Sequence, residues 1–384
     1  MKYGFLRKII NSPFPTTQCG HITQTNELFV YHDDLEARLL YLSDDNGTII
    51  HLSADLLSID RDTRIKLQNQ ARIFFQDEKL VLITSATHTH IGNNVRDERY
   101  IGYFIDLISN AFKDIIIHET KSIKTEYQII KFNEVGKSRI SNYESNNEYL
   151  SLIKLMVEDR VWLNIIIHNC HPTILHANVP YFSSEFPGYV MQQLRLEYPD
   201  EEFTYMSGAS GDISSRFTRP NQTYAAVEFL GNKMIAKIKQ LKANQSYTKN
   251  LELTYHEEEI KYKHDFTPVD ISKIRGNLTA RELETIEYGK IMRENLEKDP
   301  SKLVKEATIG CWNLGCIKLV FYPNEMFSQW LDEVDLKEKL LISYSNGFGP
   351  YIIPKDFAYI TYESFNDTLT LDTKDKVLSA IKNI

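Results

Sequence analysis

The side chains best able to do chemistry gather where apolar runs stop. Val161 to Ile167 is a short run rich in β-branched residues that ends in His168-Asn169-Cys170-His171-Pro172, and such a run reads as a buried strand. Lys79 to Ala86 behaves likewise and breaks into Thr87-His88-Thr89-His90-Ile91-Gly92. On an extended segment the two rings of a His-x-His pair project to one face, so His88 and His90 can act together. Two further runs end in polar residues. Glu202 to Met206 leads into Ser207-Gly208-Ala209-Ser210-Gly211-Asp212-Ile213-Ser214, and Ile317 to Phe321 leads into Tyr322-Pro323-Asn324-Glu325. Open α/β sheets place ligands beyond their strand ends, and one site assembled from four such ends is the economical reading.

Neutral imidazoles with a carboxylate suit zinc, which in catalytic sites keeps about three protein ligands and one open position for water. His88 and His171 supply imidazoles, and Glu325 can supply the carboxylate. Taken singly, each has a plainer reading. His-x-His is an ordinary hydrogen-bonded pair, His171 a structural group at a strand end, and Glu325 an acid in the first turn of a following helix, favourable to its dipole. Glycines before Ser214 permit tight turns and leave amide N–H groups open, which suits an oxyanion or a nucleophilic serine; a plain Ser/Gly loop is the alternative. The Gly-x-Ser-x-Gly elbow of serine esterases is absent, since Gly208-Ala209-Ser210-Gly211 is one residue short.

The elements that must position these groups follow from periodicity. Arg38–Leu42 and Thr48–Leu52 flank Asp44-Asp45-Asn46-Gly47 as a hairpin, and Asp55 closes its second strand. Helices are predicted from about Asp60 to Asp77, Asp97 to Asp114, Ser184 to Glu197 and over 223–242, with Ser183 or Ser184 as N-cap of the third. Leu251 to Lys263 alternates like a half-exposed strand. Strands alternating with helices indicate an α/β protein, a mixed sheet covered by helices on both faces. With no internal repeat and no low-complexity linker, residues 1–384 read as one large catalytic domain. Within it, 267–305 forms a peripheral helical insertion or lid, strongest over Ala280 to Leu296.

In this order, Thr87-His88-Thr89-His90-x-Gly92, Arg139, His171-Pro172-Thr173, Ser184-Glu185-x-Pro187-Gly188-Tyr189, Gly211-Asp212-Ile213-Ser214, Pro323-Asn324-Glu325 and the Tyr351 segment resemble the neutral/alkaline ceramidase family, over most of the chain. The resemblance implies a zinc-dependent amide hydrolase. By position His88 and His171 resemble its histidine ligands, Glu325 its carboxylate ligand and Tyr351 its tyrosine ligand, with Tyr344, Tyr359 and Tyr362 in the same segment. Ser214 resembles the catalytic serine, and His90 and Arg139 resemble groups behind the metal or against the substrate. Two departures stand out: Ser215-Arg216 follow Ser214 where the family has proline and asparagine, and Asn93 to Asp97 replace a glycine-rich turn. Arg96, Asp97, Arg216 and Arg219 then make the mouth polar, which points to a small to medium-sized polar N-acyl substrate, not necessarily ceramide. The alternatives are an esterase or lactonase, or an inactive binding protein of the same fold.

A net charge of −8 with no basic stripe argues against nucleic-acid binding. The residues Met1 to Ile10 lack the apolar core of a signal peptide, and no run of about 18 apolar residues occurs. Four irregularly spaced cysteines fit reduced thiols. These features predict a cytoplasmic enzyme without a transmembrane segment; the oligomeric state has no signature in the sequence.

Overall fold

A computed structural model of the chain describes every residue except 22–25, 141–144, 245, 271–279 and 358. The first part forms β1 (Lys2–Ile9), β2 (Glu36–Asp44), β3 (Gly47–Ala54), α1 (Arg61–Phe75), β4 (Val81–Ala86), α2 (Glu98–Ala111) and β5 (His118–Glu119). These strands make one sheet in the order β4-β3-β2-β1-β5, with β3 and β4 parallel. The predicted hairpin is β2–β3, which closes at Asp44 and Gly47 with Gly47 at φ 151°.

The middle part forms β6 (Lys124–Lys131), β7 (Lys137–Ser138), β8 (Tyr149–Val157), β9 (Arg160–His168), α3 (Glu185–Glu197), β10 (Glu202–Ser207), β11 (Ile213–Ser214), α4 (Tyr224–Ala243) and β12 (Thr248–Asn250). A second sheet follows, β10-β9-β8-β6-β12, again with one parallel pair, β9 and β10. The last part adds β13 (Thr254–Lys261), α5 (Ala280–Lys298), β14 (Glu306–Asn313), β15 (Lys318–Phe321), β16 (Glu325–Met326), β17 (Lys339–Ile342), β18 (Tyr351–Ile352), α6 (Tyr362–Asn366) and α7 (Leu371–Asn383). It contributes a third sheet, β13-β14-β15-β17, and the short parallel pair β16–β18.

Side-chain alternation shows how these sheets are layered. Leu40 and Leu42 of β2, and Ile165 and Ile167 of β9, enter one core shared with Trp312, Leu319 and Leu341 of the third sheet. Their neighbours Leu39 and Tyr41 face away and pack with Leu67 of α1 and Phe104 of α2. Ile166 likewise turns outward, onto Val190 of α3 and Leu230 of α4. Period-two strands buried on both faces give this arrangement directly. The α/β class with mixed sheets and covering helices therefore holds, but the layering differs from a single sheet covered twice: sheets face each other, and each five-stranded sheet carries helices on its outer face only. A run such as Ile165-Ile166-Ile167 reads the same whether its second face meets a helix or another sheet, so the sequence does not separate the two cases.

Polar groups stitch the facing sheets beside the strand ends. Ser53 Oγ donates to Tyr205 O at 2.7 Å, and Ser207 Oγ donates to Thr87 O at 3.0 Å. The insertion foreseen at 267–305 is helical over Ala280–Lys298, and residues 271–279 lie outside the described ones. Among the described residues no helix is long and apolar enough to cross a membrane.

At the start of α3, Ser183 acts as the capping hydroxyl by accepting from Glu185 N at 3.0 Å, whereas Ser184 makes no cap bond and donates to Asp33. Glu185 is fully buried with φ 58°, and burial pushes its carboxyl up to about 7. A carboxyl raised in the folded state penalises folding once it ionises, so this penalty is absent below about pH 4.5 and grows as pH rises towards 7. Glu185→Gln is expected to remove that pH-dependent loss, worth about 3 kcal/mol at most. Thermal melts at pH 4 and pH 8 should show the variant's advantage appearing only at the higher pH, and equal advantages at both would contradict it.

Candidate metal centre

Four strand ends meet at one point, as the spacing implied. His88 follows β4 in a left-handed conformation, φ 66°, which is strained for a non-glycine residue. Its Nδ1 lies 2.7 Å from Leu57 O, and His171 Nδ1 lies 2.7 Å from Ser210 O. A carbonyl only accepts, so in both rings Nδ1 carries the hydrogen and Nε2 presents a lone pair. His90 brings a third ring, 5.0 Å from His88 and 5.9 Å from His171 between centroids. One ring nitrogen from each of the three lies within 4.8 Å of the others.

Glu325 completes the cluster, its Oε2 being 3.0 Å from His171 Nε2 and 3.7 Å from His88 Nε2. It is not in a helix's first turn. Glu325 opens β16 and pairs in register with Tyr351 of β18, which sets both side chains side by side. The Tyr351 hydroxyl hydrogen-bonds Glu325 and accepts from Arg139 Nη2 at 3.0 Å. Tyr344 stacks on His88, ring centroids 3.6 Å apart and planes 5° apart, with its hydroxyl 3.3 Å from His171 Nε2.

Burial sets the protonation. It pulls His88 and His171 down to about 3 and His90 well below its ordinary value, so all three imidazoles are neutral near pH 7. It pushes the Glu325 carboxyl up, against the opposing pull of His88, Tyr351 and Arg139. Both nitrogens of His90 are buried without a hydrogen-bond partner, and two Nε2 lone pairs face a carboxylate oxygen. Lone pairs gathered in this way could hold a metal ion, and the set of imidazoles, carboxylate and phenol suits a borderline cation such as zinc.

Ser214 is adjacent through the backbone. It forms a bridge with His171, is 4% exposed, and its Oγ accepts from Arg216 N at 3.3 Å. The glycine amides before it are not open, since Gly208 N donates to His168 O and Gly211 N to Met326 O, and the Ile213 amide likewise donates to Ser210 O. An oxyanion pocket built from those amides is thereby ruled out. The polar mouth also shrinks, because Asp97 caps α2, Arg216 donates to Arg139 O and Arg219 to Thr173 O. Arg96 remains exposed, close enough to act on Tyr362.

Neither a family model nor a curated protein sequence matches this chain. Solved structures do. The chain is similar to a neutral ceramidase from Pseudomonas aeruginosa, with a TM-score of 0.74 and 13% identity over 98% of this chain and 72% of that one. It is also similar to a ceramidase complexed with C2, with a TM-score of 0.73 and 12% identity over 98% and 73% of the respective chains. The fold is the neutral ceramidase fold. At such identity the agreement concerns architecture, and the resemblance read from the motifs stands at that level.

Sequence reasoning passed over three contributors. Tyr344, two residues past β17, carried no motif beyond its place among several tyrosines. Ser210, whose carbonyl anchors His171, is marked only by its glycines. Glu363, 2.8 Å from Arg139, lies outside every strand end. The last of these contacts spans more than two hundred positions, which local pattern does not report. A test of the local packing uses Gly211, where an added Cβ would lie 2.8 Å from Glu325 O and 2.9 Å from Met326 C. Gly211→Ala is expected to lower stability by about 1–3 kcal/mol, whereas Gly102→Ala, in open space on α2, should raise it by about 0.5–1 kcal/mol; denaturant melts decide, and no loss in the first variant would remove the close-packing argument.

Proposed function

We propose that this protein is a zinc-dependent hydrolase that cleaves an amide bond in a small N-acyl substrate. The observation that carries the reading is the convergence of three neutral imidazoles and Glu325, in a fold shared with enzymes named for hydrolysing ceramide, itself an amide. His88, His171, Glu325 and Tyr351 would hold the ion, with His90 beside them. When bound, zinc supplies Lewis acidity, polarising a carbonyl and lowering the pKa of water towards about 7.

The remaining steps belong to the chain. Ser214 Oγ offers a hydroxyl next to His171, either as the attacking oxygen or as a hydrogen-bond donor to the developing oxyanion. His90, whose ring nitrogens have no protein partner, takes a proton and delivers it to the leaving amine. Arg139 fixes the Tyr351 hydroxyl and contributes positive charge behind the carbonyl. With most of the mouth's charges tied to the chain itself, the polar character of the substrate rests on Arg96, and an ester or lactone satisfies the same geometry less specifically.

Elemental analysis of the purified protein is expected to find about one zinc per chain in the wild type and little in His171→Ala. A wild type that takes up no metal after incubation with zinc would leave a binding protein of the same fold. Ser214→Ala is expected to keep its zinc and to lose about 100-fold or more in kcat on N-acyl substrates. An unchanged rate would return Ser214 to the role of a turn cap.

A further inference from the structure

Glu363 sits on α6 and is 5% exposed, with Oε1 2.8 Å from Arg139 Nη2 in an ion pair. The same nitrogen lies 3.0 Å from the Tyr351 hydroxyl and 2.8 Å from Gly211 O. A guanidinium withdrawn from water requires a nearby negative charge, since an uncompensated buried charge is costly. Two carboxylates compete to provide it. Glu363 does so by contact, while Glu325 acts on Arg139 from further away. Arg139 Nε, moreover, is buried with no acceptor, so the side chain has a hydrogen bond still to make.

We propose that Glu363 is a positioning residue for the metal centre, holding Arg139 so that Glu325 stays turned towards His88 and His171. Without that counter-charge, Arg139 draws Glu325 to itself and removes a carboxylate oxygen from the ligand set. The inference rests on the metal-site reading above and adds to it a residue that reaches the would-be ligand Tyr351 through Arg139. α6 is in turn braced by α5: Arg293 Nη1 donates to Phe365 O at 3.4 Å, and the Tyr362 hydroxyl donates to Met292 Sδ at 3.4 Å. The helical insertion thus serves as a support for Glu363.

The test is the zinc affinity of the full chain, stripped of metal and titrated with zinc against a chromophoric chelator. E363Q is expected to bind zinc about 10–100-fold more weakly than wild type, and E363D to fall between them. In an R139Q background, adding E363Q should cost less than about threefold, because the competing cation is gone. A purely structural role predicts instead a lower melting temperature of the metal-free protein with unchanged zinc affinity. Affinities equal within about twofold in wild type and E363Q would therefore overturn the proposal. If E363Q does not fold, E363D carries the comparison on the same criterion. A wild type that binds no zinc removes the metal-site reading and this inference with it, whereas normal binding that survives E363Q removes this inference alone.

Discussion

A neutral imidazole has one hydrogen to give, and in His88 and His171 a backbone carbonyl takes it. Leu57 O and Ser210 O fix the tautomer and the tilt of the rings at once, and the free Nε2 atoms then have only one direction to face. Everything else in the centre follows from that constraint. Leu57 lies between β3 and α1, and Ser210 between β10 and β11, so each anchor comes from the loop beside the strand end whose histidine it holds. Water at those positions would let the rings flip and would spread the lone pairs over many orientations.

Such an arrangement needs strand ends from different sheets at one place, and face-to-face stacking provides it. β4 belongs to the first sheet and β9 and β10 to the second. The segment after β17 clamps them: Ala86 N donates to Tyr344 O, Asn346 N to Thr84 O and Ser343 N to Ser207 O, all within 3.1 Å. These bonds lie in a dry interior, where each carries more weight than in water because the alternative is an unpaired polar group. The apolar core beneath, with Ile165, Ile167, Leu340 and Leu341 buried to completion, makes sliding of one sheet over another costly, at roughly 1.5–3 kcal/mol for each large side chain exposed. Rigidity at the centre is therefore borrowed from packing some distance away.

How much of this was legible in the sequence depended on the range of the interaction. Apolar runs that stop at His88, His171 and Glu325 are local signals, and the residues they mark do converge. Helix limits came within a few residues for α1, α2 and α4, because apolar period and capping acids are local too. The layering escaped, since a strand buried on both faces has one pattern for two architectures. Open amides before Ser214 were inferred from glycine content, but Gly208 and Gly211 serve close packing, with Tyr149 and with the backbone of β16. Tyr344 and Glu363 escaped for a different reason: their roles exist only after β4, β7, β17 and α6 have been brought together, and no spacing along the chain encodes that meeting.

Charge closes the argument about what the centre wants. Glu325 and Glu363 share Arg139, so two carboxylates against one guanidinium leave one negative charge when both are ionised. The neighbouring imidazoles are neutral and direct lone pairs at the same carboxylate. An excess negative charge in so dry a place is costly, and the raised Glu325 carboxyl is one expression of that cost. His88 is strained as well, in a left-handed backbone conformation with its ring stacked on Tyr344. Packing alone gives no reason to assemble an acid, three lone-pair donors and a strained residue at one point. A positive charge placed among the acid and the lone pairs would offset the electrostatic part of that cost, and the three imidazoles could hold a metal ion.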